Sequence, residues 1–307
     1  MIYQEEILWK GAPLLLDAVR AENKAFIISG NLIKTASLKN EWQEDVSNPE
    51  EVIRTLKESP VKIDLLKFWQ RIPETEAKYD YYREWEQIAA IPIHDYKHWW
   101  EKQIDAKTRN MVRKSDKKGV IIEETAFSDE LARGIMDIFN QSPVRRGKPF
   151  RHYGKNFETV KKEMALDLKE SVFVTAYHEK ELIGFIKLFF TDRYAMITLI
   201  LDKVAHRDKS PMNGMIAKAV AICAARSVPH LVYTVWRRGE HGKFQESNGF
   251  EKIPVPEYFV PLTLKGKLAL RLGLHKGIGG LIPEKVMIWL LVLRAKWYFW
   301  KYRQKPA

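Results

Sequence analysis

The stretches SVFVTAY (171–177), LIGFIKLFF (182–190) and YAMITLIL (194–201) decide the fold of this chain. Each is short and apolar, and the first alternates with the period of two that is typical of a strand. The polar turns HEKE (178–181) and TDR (191–193) separate them, so we predict a meander of three strands. The elements that we predict after the meander are a helix from Ser210-Pro211 to Arg226, the strand HLVYTVW (230–236), a short helix ending at Asn248, and a last strand up to residue 262.

The segment in front of the meander predicts one strand and two helices. VIIEE (120–124) reads as a strand, Ser128 is a suitable N-cap for a helix over 129–142, and a second amphipathic helix covers about 156–170. A helix that begins near a strand end presents free backbone N–H groups and the positive end of its dipole. We therefore predict a site for an anionic group at the start of the helix that follows the meander.

A basic block over 95–119 comes before these elements. Its apolar residues recur at near-helical spacing, His94 or Asp95 is a suitable N-cap, and Gly119 is a suitable C′ residue. We predict a helix here that carries an excess of positive charge.

The order of elements over 120–262 resembles the GNAT fold of the Gcn5-related N-acyltransferases. The block KTRNMVRKSDKKGV (107–120) and the stretch FQESNGF (244–250) resemble segments of FemAB-like transferases. In that group the basic helix enters the second of two tandem GNAT domains, and the resemblance covers residues 95–262. The fold class that we predict is α/β with the GNAT (acyl-CoA N-acyltransferase) fold, tandem with a degenerate N-terminal half and followed by a basic amphipathic helical tail.

The N-terminal part of the chain reads as an α/β unit. KAFIIS (24–29) and VKIDLL (61–66) are predicted strands, and Asn48 is a suitable N-cap for a helix that runs to about Glu58. The resemblance implies that this part is the degenerate first GNAT domain. The three predicted segments are 1–94 as the N-terminal α/β unit, 95–262 as the GNAT-like acyltransferase domain, and 263–307 as a basic, aromatic helical tail.

Bulk composition limits the class of protein. Hydrophobic residues make up 46% of the 307 residues and charged residues 29%, which is typical of folded chains. A single cysteine excludes a disulfide framework, the N-terminus lacks the basic region of a signal peptide, and no apolar run reaches about 18 residues. From Lys265 onward ten basic residues face one acidic residue, Glu284, so the net charge of +12 is concentrated in the tail. We expect a cytoplasmic protein with anionic partners.

The start of the helix after the meander is the candidate donor site. The resemblance implies a donor loop R/Q-x-x-G-x-G/A here, and Arg207 is present where the glycines are not. This departure favours an aminoacyl-tRNA donor, while acyl-CoA, with acetyl-CoA as the ordinary case, stays open as the alternative co-substrate. The alternative without a ligand is a plain helix start, with Ser210 as N-cap and Pro211 as first residue. The candidate donor-binding residues are Arg207, Lys209, Ser210, Asn213 and Gly214.

Two basic stretches are candidates for the acceptor side. PVRRGKPFRHYGK (143–155) contains no acid, and the GNAT layout places it beside the acceptor groove. Such a loop favours an anionic acceptor, such as a sugar nucleotide or a phosphorylated lipid intermediate. On the basic helix, cations at i, i+4 repel each other and favour an anion, although solvated surface is the alternative for both stretches. The candidate acceptor-binding residues are Arg109, Arg113, Arg145, Arg146 and Arg151.

The catalytic residues follow less directly from the sequence. Asp202 ends the third meander strand near the expected acyl carbonyl, and Glu123 lies near the end of the first strand, so each is a candidate base. Many acetyltransferases have a tyrosine as general acid where this chain has Gln245, and Tyr233 is the candidate substitute. Backbone N–H groups stabilise an oxyanion without any side chain. His94 and His98 lack the glutamate and third ligand of a zinc-peptidase helix, so we expect no metal.

The C-terminal segment predicts an interfacial helix. The apolar run VMIWLLVL (286–293) is too short to span a bilayer, and aromatic residues interleaved with Lys and Arg follow it. Residues 281–303 therefore resemble a helix that lies on an anionic membrane. The alternative is a helix that packs on the domains.

These observations together predict an enzyme of cell-envelope biogenesis. The predicted activity is N-acyl transfer, without a covalent enzyme intermediate, to an amine on an anionic cell-envelope or polysaccharide precursor at the inner face of the cytoplasmic membrane. The donor is a thioester or an aminoacyl-tRNA, so tRNA is a predicted partner. One alternative is a CoA-dependent N-acetyltransferase acting on a nucleotide-linked amino sugar. The other is an inactive GNAT fold that binds RNA or anionic lipid.

Overall fold

The chain folds into two compact units whose parts alternate along the sequence. The three predicted segments are each contiguous, so these units do not test their bounds, which stay a prediction. The first unit consists of the described residues up to Glu86, of Val144–Arg151 and of those from Val255 on; the second consists of Gln87–Pro143 and of the described part of His152–Pro254. The computed structural model describes residues 2–9, 12–145, 147–237, 239–276 and 284–303.

Strands in both units are mostly antiparallel. In the described residues they are β1 (Ile2–Trp9), β2 (Ala12–Ala21), β3 (Lys24–Ser29), β4 (Thr35–Leu38), β5 (Leu65–Trp69), β6 (Arg83–Pro92), β7 (Ile121–Thr125), β8 (Val144–Arg145), β9 (Lys148–Pro149), β10 (Ser171–His178), β11 (Glu181–Phe190), β12 (Ala195–Asp202), β13 (His230–Val235) and β14 (Glu251–Pro261).

Helices connect and cover these strands. In the described residues they are α1 (Pro49–Lys57), α2 (Tyr96–His98), α3 (Ala106–Lys117), α4 (Asp129–Phe139), α5 (Phe157–Met164), α6 (Pro211–Ala225), α7 (Glu240–Ser247), α8 (Leu264–Arg271) and α9 (Glu284–Arg303). None of these helices combines the length and the hydropathy that crossing a membrane requires.

In the first unit, the sheet order is β1, β2, β3, β4, β5 and β14. Only β4 and β5 run parallel among these neighbours, and α1 lies in the connection between them. The side chain of Asn48 caps α1 by accepting from the Glu51 N–H at 3.2 Å, as the sequence predicts.

An aromatic cluster fills the core of the first unit. The ring of Tyr258, which has no exposed surface, stacks on Phe68 with 5.0 Å between centroids, and Tyr79 meets it edge-on at 5.4 Å. The Tyr258 hydroxyl accepts a hydrogen bond from the Lys78 N–H at 2.9 Å and donates to Oε1 of Gln70. A buried hydroxyl that is satisfied on both sides fixes the chain around it.

The second unit has the sheet order β6, β13, β12, β11, β10 and β7. Of the pairs in this order, β12 and β13 are parallel and the others antiparallel. Successive residues of β11 point to opposite faces: Phe185 packs against Phe139 of α4, whereas Ile186 joins the core cluster that includes Met215 and Val220 of α6. Helices therefore cover both faces of this sheet, and the strand order of the predicted meander is confirmed.

The predicted basic helix is broken into two pieces. Asp95 caps the first turn by accepting from the His98 N–H at 2.7 Å, and a π-helical turn follows over Trp99–Gln103. Asp105 then caps a new helix, α3, by accepting from the Thr108 N–H at 2.6 Å. The prediction of one continuous helix was wrong because a second capping aspartate competes with helix continuation. The predicted helix end is confirmed, since Gly119 has φ +72°.

Other errors of the sequence interpretation lie in the N-terminal part. The predicted strand at 61–66 begins only at Leu65, and Asp64 before it is buried and accepts a hydrogen bond from the Lys34 N–H at 3.0 Å. The polar, aromatic segment at 74–100 contains strand β6, which the sequence interpretation left out. Strands β1, β2 and β4 were also not predicted.

The loop before the last strand is held by buried contacts. Nε1 of Trp99, a side chain with no exposed surface, donates to the carbonyl of Asn248 at 3.1 Å. The Asn248 side chain accepts from Nδ2 of Asn213 at 3.0 Å and donates to the Phe244 carbonyl at 2.8 Å. Gly249 has φ +84°, and a Cβ there would lie 2.9 Å from Nε1 of Trp99. The NGF stretch noted in the sequence is thus a packing feature.

Tyr258→Phe should destabilise the protein by about 0.5–1.5 kcal/mol, because it removes the buried hydroxyl while the Lys78 N–H and Oε1 of Gln70 keep their own hydrogen bond of 2.9 Å. Urea unfolding measures the change. Tyr153→Phe, at an exposed tyrosine, is the matched control and should change the free energy of unfolding by less than about 0.5 kcal/mol. Equal effects of the two substitutions would contradict the structural role of the Tyr258 hydroxyl.

Gly249→Ala should destabilise more than Gly119→Ala. Both glycines have positive φ, which costs an alanine roughly 1–2 kcal/mol, but a Cβ at Gly119 has no atom within 4 Å. The clash with Trp99 should add about 1–3 kcal/mol for Gly249→Ala alone. If denaturant unfolding gives the same loss for both, the close approach of Trp99 to Gly249 is not present in solution.

Candidate functional site

The candidate site begins where two parallel strands separate. β12 and β13 are paired only at Ala195–Leu231 and Met196–Val232, although β12 continues to Asp202. Thr234 has φ +56°, and the Trp236 N–H donates to the Gln87 carbonyl at 2.6 Å, so β13 follows β6 beyond this point. The edge of β12 beyond Met196 is therefore not paired with β13, and we call this gap the β12–β13 opening.

Gln245 of α7 fixes the far side of the β12–β13 opening. Its side chain has no exposed surface, its Oε1 accepts from the Arg237 N–H at 3.0 Å, and its Nε2 donates to the Tyr233 carbonyl at 3.2 Å. Both backbone groups belong to β13 or to the residues directly after it. At the position where many acetyltransferases have a catalytic tyrosine, this chain has a buried amide with a structural role.

The turn before α6 differs from a plain helix start. Ser210 has φ +58° and ψ +41°, the left-handed conformation that glycine adopts most readily. Ser210 occupies the N-cap position as the sequence predicts, but its hydroxyl makes no capping bond and lies 3.2 Å from Sδ of Met111. Ser210 stands at the first glycine position of the donor loop that the resemblance implies, and its left-handed backbone is one that favours glycine. The first N–H groups of α6 have no side-chain cap, and Pro211 at the first helical position is confirmed.

Two further predicted donor residues serve packing. A Cβ on Gly214 would lie 2.2 Å from Cδ1 of Ile122 and 3.1 Å from Oγ of Ser115, so the missing side chain lets α6 approach α3 and β7. Asn213 donates to Asn248, as described above. The side chains that Gly214 and Asn213 contact in this way lie outside the turn before α6, and the role of these two residues in donor binding stays a prediction.

Three lysines lie near Asp208, in the turn before α6. Lys209 bonds Asp208 at 3.4 Å. Desolvation raises the pKa of Asp208, but the charges of Lys209, Lys118 and Lys114 outweigh it and leave that pKa lowered. The last two lysines lie on α3 or directly after it, so packing of α3 on α6 brings a second source of positive charge to the turn. We call Lys114, Lys118 and Lys209 the basic patch.

Other cations near the turn are paired with carboxylates. Nε of Arg207 lies 3.2 Å from Oδ1 of Asp202, which is buried, while the Arg207 side chain is half-exposed. Glu181, the first residue of β11, accepts from Lys203 at 2.5 Å and from His206 at 3.1 Å. The hydrogen bond from Lys203 is the main cause that lowers the pKa of Glu181. These ion pairs fix the segment that follows β12, because Lys203 and His206 are bound to the start of β11 and Arg207 is bound to the end of β12.

The three predicted catalytic residues lie in different places. Glu123 lies in β7 opposite Thr175 of β10, with β10 and β11 between it and β12, so it is about 14 Å from β12. Because Val232 of β13 pairs with Met196 of β12, Tyr233 is level with residue 197 of β12. Asp202 lies five residues farther along β12, so Tyr233 and Asp202 are separated by about 16 Å along the strand. Tyr233 also packs against Phe250, at 5.8 Å between ring centroids. The structure does not bring these three side chains together, and their roles stay predictions.

The arginines of α3 contact their own chain segment. Nη1 of Arg109 donates to the carbonyls of Trp100 at 3.0 Å and Ile104 at 2.6 Å, which satisfies the end of the π-helical turn. Arg113 lies over the Trp100 ring at 5.4 Å and donates to Asn110. In this structure both guanidinium groups serve the turn before α3, and acceptor binding stays a prediction.

The predicted acceptor loop is divided between the two units. Arg145 and Arg151 belong to the first unit, where the Arg145 guanidinium lies 4.7 Å from the Phe150 ring centroid. Arg146 lies outside the described residues. In the second unit, Lys155 bonds both carboxylate oxygens of Glu163, at 2.5 and 2.6 Å. This part of the loop is therefore opposed by an acid from α5, which the sequence did not reveal.

A metal site is not evident in the described part of the chain. No group of three or more His, Cys, Asp or Glu side chains there is arranged to hold an ion. His94 and His98 meet with their ring centroids 4.9 Å apart, without a third ligand of these types.

Sequence reasoning missed the members of the site that come from distant segments. The sequence interpretation gave Lys114 and Lys118 no role at the donor turn, and it noted Gln245 only as a missing tyrosine. The basic block over 95–119 could have indicated the two lysines, because a basic helix that packs against α6 brings its positive charge close to α6. No signal in the sequence pointed to the short ladder between β12 and β13.

Comparison with known proteins rests on structure alone. No protein-family model matches the sequence, and no curated protein matches it significantly. L-PGS from Bacillus licheniformis is similar with a TM-score of 0.56 and 11% identity, over 84% of this chain and 87% of that chain. The C-terminal domain of a putative lysylphosphatidylglycerol synthetase from Agrobacterium fabrum has a TM-score of 0.54 and 13% identity, over 83% and 87%. FemX has a TM-score of 0.54 and 11% identity, over 88% and 90%.

Likeness at such low identity shows the fold and no more. Each match covers more than four fifths of both chains, so the likeness extends beyond the second unit. The chain has the GNAT fold in an arrangement that resembles the FemAB-like transferases, as its sequence predicts.

Proposed function

We propose that this protein is a transferase that moves an aminoacyl group from aminoacyl-tRNA to an amine on an anionic cell-envelope or polysaccharide precursor. One observation carries the proposal: the basic patch lies near the turn before α6, whose first N–H groups have no side-chain cap, and this turn follows β12, the strand that borders the β12–β13 opening. An opening of this kind admits the acyl end of a donor, and the patch attracts a polyanion.

The altered donor turn favours tRNA over a nucleotide thioester. Pro211 removes one N–H from the start of α6, and Gly214 is occupied in packing against Ile122. A short diphosphate depends on closely spaced N–H groups, whereas an RNA backbone binds to charges spread over a wider surface. Lys114 and Lys118 widen the positive surface in this way.

Transfer needs a neutral amine and a leaving group that takes a proton. The amine nitrogen forms a bond to the acyl carbon, and the ester bond to the ribose oxygen breaks. The proton lost by the amine goes to water or to Asp202, and the ribose oxygen leaves with a proton from solvent. Backbone N–H groups of β12 beyond Met196 are the proposed donors to the oxyanion.

The acceptor is the less constrained part of the proposal. The Agrobacterium protein is named as a putative lysylphosphatidylglycerol synthetase, and for this chain a lipid-linked anionic acceptor that carries the amine fits its basic character. Arg145 and Arg151 are the proposed acceptor contacts. A position at the inner face of the cytoplasmic membrane fits the tail, where Trp289, Trp297 and Trp300 of α9 are exposed. Residues 281–283 of that predicted interfacial segment lie outside the described residues.

A CoA-dependent transferase is the second candidate. The left-handed backbone of Ser210 supports it, because that conformation reproduces a donor-loop glycine without the residue itself. In that case the N–H groups at the start of α6, with Arg207 and Lys209, hold the diphosphate of acyl-CoA. CoA supplies a thioester whose thiolate leaves more readily than an alkoxide. An inactive GNAT fold that binds RNA or anionic lipid is the remaining alternative.

Transfer and thermal unfolding together separate these candidates. With aminoacyl-tRNA we expect release of deacylated tRNA that depends on an amine acceptor. With acetyl-CoA at a hundred times a typical dissociation constant, a CoA enzyme would gain about 2.7 kcal/mol of stability, and we expect no such shift. A shift with acetyl-CoA that Arg207→Ala removes would overturn the tRNA donor in favour of CoA. Binding of tRNA without transfer to any tested amine would favour the inactive fold.

Lys114→Ala/Lys118→Ala should weaken tRNA binding and also reduce the dependence of that binding on salt, because both follow from lost phosphate contacts. Each lost phosphate contact lowers the slope of log K against log [salt] by about 0.7–0.9, so two should remove about 1.5. Filter binding between 50 and 200 mM salt measures the slope. Lys162→Ala/Lys169→Ala, at two exposed lysines, is the matched control and should keep the parent slope. Equal slopes for the two double variants would contradict a role of the basic patch.

A further inference from the structure

Helix α8 exposes large apolar side chains and buries small ones. Leu264, Leu268 and Leu272 are spaced by four residues and thus share one face, and 88%, 56% and 54% of their surfaces are exposed. On the other face Gly266 and Ala269 are buried. An amphipathic helix of a globular protein normally has the reverse arrangement.

The orientation of α8 is fixed by its N-terminal contacts. A Cβ on Gly266 would lie 2.0 Å from the carbonyl oxygen of Asp64, so only glycine permits this approach. The Thr263 hydroxyl accepts from the Gly266 N–H at 3.0 Å and donates to Oδ1 of Asp64 at 2.8 Å. Nζ of Lys265 lies 3.3 Å from Oδ2 of the same carboxylate. Burial raises the pKa of Asp64, but its hydrogen bonds from Lys34, Thr263 and Lys265 outweigh this and lower it, so the anchor stays charged.

A second anchor holds the chain after α8. Gly273 ends the helix with φ +68°, and the short helical turn Leu274–Lys276 follows. The buried side chain of His275 lies 2.9 Å from Oε1 of Glu84, and its ring meets Phe259 at 4.7 Å. With both ends anchored, α8 cannot rotate to bury its leucines, and the exposed face is a built feature of the first unit.

The charge around this face indicates what covers it. Lys267 and Arg271 flank the leucines on one side and Lys265 on the other, and all three are exposed. Residues 262–283 contain four basic residues and no acidic one. A second copy of the chain would bring like charges together, whereas an anionic lipid surface pairs with the cations and takes up the leucines. A short helix with an apolar centre and basic flanks is typical of elements that lie in the plane of a membrane.

We propose that α8 is a membrane-docking helix, which inserts Leu264, Leu268 and Leu272 among the acyl chains of an anionic bilayer while Lys265, Lys267 and Arg271 contact its phosphates. The inference deepens the proposed location of the protein at a membrane and rests on it in that respect. It assigns the contact to α8, which lies outside the tail segment 281–303.

Site-specific labelling tests whether α8 enters the bilayer. The chain has one cysteine, Cys223, which is buried, and burial raises the pKa of its thiol to about 12, so the native protein resists thiol reagents. Leu268→Cys, labelled with the environment-sensitive dye NBD, should brighten and shift to the blue with vesicles of 30% phosphatidylglycerol in phosphatidylcholine. Leu32→Cys, at an exposed leucine of the same unit, is the matched control and should not respond. An NBD signal at position 268 that stays aqueous while the protein binds these vesicles would overturn the proposal.

Vesicle co-sedimentation tests the energetic role of the leucines. L264Q/L268Q/L272Q should lower partitioning onto the anionic vesicles by about tenfold for each leucine that inserts. The control L15Q/L32Q/L166Q removes three exposed leucines elsewhere and should bind like the parent. Lys267→Glu/Arg271→Glu should weaken binding to the anionic vesicles and leave weak binding to pure phosphatidylcholine unchanged.

Two outcomes of these experiments would contradict the proposal that the leucine face of α8 binds a membrane. If L264Q/L268Q/L272Q binds vesicles like the parent but turns a dimer into a monomer in sedimentation velocity, the face is an interface between copies and the proposal fails. If both triple variants lose binding equally, the effect is not specific to α8 and the proposal fails as well. Aminoacyl transfer to a water-soluble amine should be unaffected in L264Q/L268Q/L272Q, so loss of docking and loss of transfer are distinguishable.

Discussion

The short ladder between β12 and β13 is the constraint on which the candidate site depends. Two residue pairs join these parallel strands, and beyond Met196 and Val232 the strands continue but are no longer paired with each other. Backbone groups that leave a ladder need other partners. On the β13 side they bond to β6 and to the buried amide of Gln245, while the edge of β12 beyond Met196 is not paired with β13. The opening is thus maintained by satisfied hydrogen bonds around it.

Charge at the end of β12 divides into two groups with different roles. Arg207, Lys203 and His206 are matched by Asp202 and Glu181, and these ion pairs fix the turn that leads to α6. Lys209 is matched by Asp208, and Lys114 and Lys118 add positive charge near the same carboxylate, in the turn before a helix start that has no side-chain cap. A polyanionic donor would complete this arrangement, because it neutralises the patch and supplies acceptors for the N–H groups of α6.

In the first unit, a buried carboxylate determines which face of α8 is exposed. The buried carboxylate of Asp64 holds α8 so closely that only small side chains fit beneath it, and the leucines must point outward. A soluble protein gains no stability from such a face in water. The two proposals thus give each unit an anionic partner, a polyanionic donor for the second unit and a lipid surface for the first.

The sequence alone determined the order of the main elements over 120–262, the meander, the start of α6 at Pro211 and the concentration of basic charge, because these depend on local periodicity, capping and composition. It also indicated the GNAT fold and the FemAB-like resemblance, which the structure bears out. It missed β6 and the break at Asp105, where two local signals competed. Only the tertiary structure decided that Ser210 adopts a glycine-like backbone, that Gln245 holds the opening, and that Asp202, Tyr233 and Glu123 lie apart. It also decided that Lys114 and Lys118 meet the donor turn and that α8 turns its leucines outward. These features depend on contacts between residues that are distant along the chain, and a single sequence carries no local signal of such contacts.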